Sequence, residues 1–188
     1  MERVIRMSNE KLNYYFKRTT EHIHRVQNNM VKVVTEFRDQ LSLTDEDCRV
    51  LMHNVMKHDM TKFSVEQFLP YVELTEYYRQ RKNLNNPEYK YPSEEIERQV
   101  DAAVDHHYKN ENHHPERFQG TIGKYDIYEA IETVCDLQAM AQEFNEDNCR
   151  MYFEKVWKPK QSRYFYDDYN WVCTITHMDN VIKCFESN

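Results

Sequence analysis

The chain has 188 residues, a formal net charge of −7 and only two glycines, Gly120 and Gly123. So few glycines exclude a phosphate-cradling Walker loop and a dinucleotide-binding fingerprint. The acidic balance, with a pI of about 5.7, argues against a nucleic-acid polymer as the main partner. A mean hydropathy of −0.94 would suit a disordered chain, but 13% aromatic residues point to a packed fold.

In chain order, Ser8 reads as an N-cap. Ile23, Val26, Met30, Val33, Phe37 and Leu41 then recur every three or four residues, one long helical stripe that Ser42 and Leu43 break. Thr44 and Asp47 form a variant capping box, opening a helix with Leu51 and Val55 on its inner face. A short helix is expected over Val65–Arg81, followed by a polar, Pro-containing loop over Asn83–Pro92. Ser93 caps a helix carrying Ile96, Val100 and Ala103 on one face. Asn110–Gly123 is irregular, rich in His, Asn and Pro. A helix over about Tyr125–Phe144 is apolar nearly all round between Val134 and Ala141, which places it at the centre of the fold. Two more helices are expected, over Glu146–Trp157 and Asp168–Phe185. No segment shows strand alternation. The expected fold is all-α, a bundle of about six to seven helices in one domain over 1–188.

No apolar stretch approaches the ~18 residues needed to span a bilayer, and the first ten residues lack the apolar core of a secretory signal. The five cysteines, at 48, 135, 149, 173 and 184, form no CxxC pair, which fits a reducing compartment and gives no thiolate zinc site. The expected location is cytoplasmic.

The nine histidines are the informative part. At ~100° per residue, His22 falls on the stripe of Val26, Met30 and Val33. His58 continues Leu51 and Val55, and His107 continues Ile96, Val100 and Ala103. Three helices thus each carry one inward histidine. Buried imidazoles are costly without partners, and a shared cation would serve all three, since imidazole and carboxylate suit Mn, Fe and Zn, and carboxylate also Mg. His24 lies ~200° from His22 and His53 ~140° from His58. His24 reads as exposed and His53 as a surface or interhelix histidine, and His177 lies near a C-terminal helix with no carboxylate motif. Periodicity favours His107 over His106 but cannot choose between His113 and His114. Asp136 sits on the wheel with Glu129, Glu132 and Glu143, opposite Ile127 and Val134.

The ordered series His22, His58-Asp59, His107, His113-His114 and Asp136 resembles the ligand series of the HD-domain metal-dependent phosphohydrolase superfamily. Residues 21–26 (EHIHRV) place an apolar residue four positions after the first histidine, and 58–64 (HDMTKFS) resemble the HD-x-x-K turn. With HHYKNENHHPE over 106–116 and the late Cys135-Asp136 pair, the chain is similar to a small uncharacterised HD-like family of bacteria and their viruses. The likeness spans about 20–144, leaving 145–188 as a helical extension.

The resemblance implies that the metal site lies in the core of an HD-like bundle. His22, His58, Asp59 and Asp136 would hold one divalent ion. Asp59 would bridge to a second, held by His107 with one or both of His113 and His114. A hydroxide bridging two ions about 3.5–4 Å apart would then attack a phosphoryl group. Asp59 and Lys62 would be the catalytic pair, Lys62 offsetting phosphate charge. Glu111 and Glu116 are candidates to orient ligands, though a solvated loop explains them better. Tyr71, Tyr77, Tyr78, Tyr89 and Tyr91 flank the 83–92 loop, either to stack a base or as core edges. The implied substrate is a small phosphate ester, a nucleotide in first place. A metal-containing protein that binds nucleotide without turnover, and a di-iron oxygenase on the same scaffold, are the alternatives. No membrane partner is expected, and homo-oligomerisation is left open.

Overall fold

Four hydroxyl caps start helices, three of them (Ser8, Thr44 and Ser93) where the sequence places them. Ser8 Oγ accepts from the Lys11 amide at 3.2 Å, opening α1 (Asn9–Thr35). Thr44 and Asp47 complete a reciprocal capping box before α2 (Asp45–Val55). Ser64 Oγ accepts from Gln67 N–H at 3.3 Å to open α3 (Val65–Tyr78), which runs on as a π-helical turn over Arg79–Asn83. Ser93 Oγ accepts from Ile96 N–H at 3.3 Å, just ahead of α4 (Glu94–Asn110). Each cap satisfies an amide that has no acceptor within the helix.

The computed structural model describes residues 8–118, 125–161 and 168–187. Beyond α4 come a 3-10 turn, Pro115–Phe118, then α5 (Ile127–Glu143), and α6 (Arg150–Tyr152), which passes through a π turn into α7 (Lys158–Gln161). The last helix is α8 (Asp168–Glu186). With the run 150–161 taken once, the described residues form seven helices and no strand. The all-α expectation is correct. Gly120, Gly123 and the end of the irregular Asn110–Gly123 segment lie outside the described residues. No helix among them is long and apolar enough to cross a membrane.

The chain divides into two compact units. The larger contains His22–His58 and Tyr108–Asn188. Its core gathers Val26, Met30 and Val33 from α1, Leu51 and Val55 from α2, Ile131 and Val134 from α5, and Met178 and Ile182 from α8. Within it α5 packs against both α2 and α8. Each fully buried aliphatic or Met side chain here contributes roughly 1.5–3 kcal/mol. The smaller unit contains Met1–Glu21 and Asp59–His107. Its core joins Tyr15 and Tyr71 to Val72 and Ala103, with Phe63 and Phe68 against them.

One expectation is corrected. The stripe that ends in Phe37 and Leu41 is not helical throughout, because α1 stops at Thr35. Phe37 N–H reaches back to the Lys32 carbonyl at 3.2 Å, and left-handed Ser42 (φ 55°) closes the following turn. Phe37 is nonetheless fully buried. Periodicity records burial, and a well-packed turn can carry a helical stripe past the helix itself.

Candidate metal centre

In the larger unit, side chains from α1, α5 and two turns converge. His22 Nε2 on α1 lies 3.1 Å from Asp136 Oδ1 on α5. His58 sits three residues past α2, where its amide bonds the Val55 carbonyl at 3.2 Å. Its Nε2 lies 4.0 Å from the same Asp136 oxygen, and its ring centroid 5.7 Å from that of His22. Two imidazole nitrogens thus flank one carboxylate oxygen. Such spacings suit donors held ~2.0–2.2 Å from one shared divalent ion.

Glu132, one turn before Asp136 on the same face of α5, lies behind this group. Its Oε1 is 3.0 Å from His58 Nδ1 and 3.5 Å from His113 Nδ1. The His58 and His113 rings approach to 4.3 Å. His58, His113 and Glu132 each offer a donor atom within 4.8 Å of the others, a grouping able to hold an ion. Exposures of 1% for His58, 2% for His113, 4% for Glu132 and 8% for His22 mean that partners within the protein, not bulk water, must balance these polar groups. Thr133 positions His113 by donating its hydroxyl to the His113 carbonyl at 2.6 Å. The buried Tyr125 hydroxyl lies 2.6 Å from Thr133 Oγ1 in turn. His114 is half-buried between the rings of His113 (4.2 Å) and Tyr108 (4.5 Å).

The electrostatics follow from that packing. Burial pushes the Glu132 carboxyl up, but hydrogen bonds and charge from His113 and His58 outweigh it and hold the group at about 2 instead of 4.5. Burial also opposes ionisation of Asp136, and the His22 bond with the charges of His22, His113 and His58 reverses that, holding it well below the usual carboxylate range. A depressed folded-state pKa stabilises the fold above the unfolded value and loses that contribution as pH falls. For Glu132 the loss runs from about 4.5 down through about 2 and amounts to roughly 3 kcal/mol in the metal-free protein. Urea denaturation at stepped pH should show this slope, and Glu132→Gln should flatten it. An unchanged slope in the variant would assign the acid lability elsewhere.

The smaller unit holds Asp59, Lys62 and His107 of the predicted set. Asp59 adopts left-handed backbone (φ 60°), uncommon for a residue with a Cβ although Asp tolerates it better than most. Its carbonyl accepts from Lys62 N–H at 3.0 Å, starting a 3-10 turn over Met60–Phe63. The buried Asp59 carboxylate pairs with the Lys62 ammonium through Oδ2 and lies 3.3 Å from His107 Nε2 through Oδ1. Thr61 Oγ1 is 3.4 Å from His107 Nδ1, and the Tyr71 ring packs edge-on to the imidazole at 5.7 Å. Tyr15 donates its hydroxyl to the Lys62 carbonyl at 2.7 Å, locking the turn. Lys62 is therefore a partly buried partner of Asp59, not a solvated surface lysine.

Helical phase chose correctly between neighbours: His107 is buried and His106 exposed, His22 buried and His24 exposed. His53 is exposed and His177 half-buried. Glu111 is a correction, since the solvated-loop reading fails for a buried residue; Glu116 is half-buried. Among the tyrosines, Tyr71 belongs to the core. Tyr77 stacks on Tyr91 at 4.6 Å with the Arg81 guanidinium 5.2 Å from its ring centre, and both tyrosines are half-buried. Sequence reasoning assigned no role to Glu132. The signal was there: Glu132 and Asp136 are four residues apart and share a face.

A family model matches residues 11–185, which is most of the chain. The chain belongs to the DUF5662 family. That family is described as one of unknown function. No curated protein and no solved structure matches this DUF5662 chain. All the residues gathered above, from His22 to Asp136, fall inside the matched span. The donor set of imidazole nitrogens and carboxylates, largely buried and without thiolate, could hold a metal ion.

Proposed function

We propose that this DUF5662 protein is a metal-dependent phosphohydrolase of the HD type, acting on a small phosphate ester, with nucleotides first among the candidates. The observation that carries the reading is the approach of His22 Nε2 and His58 Nε2 to Asp136 Oδ1, at 3.1 and 4.0 Å. His22, His58 and Asp136 hold one divalent ion in this reading. The resemblance to HD proteins adds Asp59, which follows His58 in the chain, and assigns His107, His113 and His114 to a second ion. A bound divalent metal supplies Lewis acidity toward a phosphoryl oxygen and lowers the pKa of water.

The chain's own residues do the rest. Buried imidazole and carboxylate present fixed donors in a site with little access to water, and Lys62 brings a cation beside the Asp59 carboxylate, in keeping with an anionic substrate. With glycines only at 120 and 123, the chain offers no Gly-rich phosphate loop, so metals and cationic side chains must balance phosphate charge. The net charge of −7 favours a small anion over a polyanion. All five cysteines are free, in keeping with a cytoplasmic setting.

The test loads purified protein with Mn2+, counts bound metal by elemental analysis and follows phosphate release from nucleoside mono-, di- and triphosphates. Wild type is expected to bind metal and release phosphate, and Asp59→Ala and Asp136→Ala to lose both. Full metal occupancy in both variants overturns the site. Tight nucleotide binding without release would make the protein a binding module. Two irons with an oxygen-dependent visible signature would make it an oxygenase.

A further inference from the structure

Glu132 has no place in the HD-type ligand series, yet it is the carboxylate that both His58 and His113 face. An imidazole that gives one nitrogen to a metal must place the proton of the other somewhere, and that outer contact decides which nitrogen is left to coordinate. For His58 the two ends are distinguishable. Nε2 is the end near Asp136 and His22, and Nδ1 meets Glu132 Oε1 at 3.0 Å. A carboxylate can only accept, so in the neutral imidazole Nδ1–H donates and Nε2 keeps its lone pair. His113 presents the same nitrogen, Nδ1, to the same oxygen at 3.5 Å. One carboxylate oxygen has the capacity to accept from both.

We infer that Glu132 is a positioning residue that sets the tautomers of His58 and His113 together, leaving Nε2 of each as the coordinating atom. The inference rests on the metal-site reading above and extends it. It explains why α5 carries two acidic residues one turn apart on a buried face: Asp136 lies at the metal side of His58 and Glu132 at its back. It also explains why Glu132 remains buried at a central helix position where an apolar residue would otherwise pack. The His113 carbonyl, held by Thr133 on the same helix, fixes the distance from which the second imidazole reaches Glu132.

The deciding experiment reads tautomers directly. Protein labelled with 15N-histidine, stripped of metal and held at mildly alkaline pH, should show His58 and His113 protonated on Nδ1. In Glu132→Gln the neutral amide accepts more weakly and offers competing N–H groups, so both residues should shift toward the Nε2–H form. Mn2+ affinity, measured by competition with a chelator, should fall about 10- to 100-fold in Glu132→Gln. Glu132→Asp, which keeps the charge, should recover part of the Nδ1–H population and serves as the second variant if the amide fails to fold. An Nε2–H signal for either histidine in the wild type overturns the inference. So do unchanged tautomers with unchanged affinity in the Gln variant, and loss of a whole metal equivalent with tautomers intact, which would make Glu132 itself a ligand. A wild type that takes up no Mn2+ overturns the metal-site reading alone, because the tautomers are read without metal.

Discussion

In His58→Ala protein, bound Mn2+ should be lost at concentrations that saturate the wild type, with affinity lower by more than roughly 100-fold, beyond the range seen when only an outer partner is removed. His58 contributes a donor at its Nε2 end, 4.0 Å from Asp136 Oδ1, and its Nδ1 end is the nearer hydrogen-bond partner of Glu132. In the proposed site, truncation therefore removes a ligand and leaves the buried Glu132 carboxylate with the longer contact to His113. Breaking a buried charged pair from one side costs about 3–5 kcal/mol, so the metal-free variant should also unfold at markedly lower urea. The two measurements separate two roles. Lost stability with intact metal binding would make His58 a structural histidine and remove the support for the proposed site.

The second large effect is purely one of packing. Phe37→Ala should destabilise the protein by about 3–5 kcal/mol, lowering the melting temperature by roughly 10 °C for a chain of this size. Phe37 is fully buried although it lies beyond the end of α1. It meets Phe185 near the end of α8 edge-to-face at 5.1 Å, so truncation opens a cavity and forfeits an aromatic pair. The backbone around it, tied by the Phe37 amide to Lys32 and by Arg38 Nε to the Leu43 carbonyl at 3.2 Å, has little freedom to collapse into the gap. Metal affinity should stay within about two-fold of wild type, since Phe37 offers no donor atom and substitutions at independent sites act nearly additively. A loss below about 1 kcal/mol would show that the turn relaxes to fill the void.

These two positions show where reading the chain succeeded and where it stopped. His58 was legible because its phase follows from Leu51 and Val55 within one helix and the turn that continues it. Phe37 was legible as buried but not as non-helical, since a stripe of apolar residues reports contact with a core and not the hydrogen bonds of the segment that carries it. Asp136 and Glu132 were the hardest. On α5, Ala130 to Cys135 and Leu137 to Ala139 are all buried, so the helix has almost no solvent side, and the wheel could only group the acids as its polar edge. In an amphipathic helix that edge faces water. Here it faces histidines.

What the chain determines by itself is therefore local. Hydroxyl caps at Ser8, Thr44, Ser64 and Ser93 start helices because each satisfies an amide within three residues. The same periodicity separates His22 from His24 and His107 from His106, because neighbouring residues on a helix point about 100° apart. Whatever depends on partners remote in sequence was left to the tertiary structure: the burial of Glu111, the inward turn of Asp136, and the pairing of Glu132 with His58 and His113 across 74 and 19 positions. A carboxylate carries no mark of whether water or imidazole will accept its charge. Only the packing of α5 among its neighbours decides that.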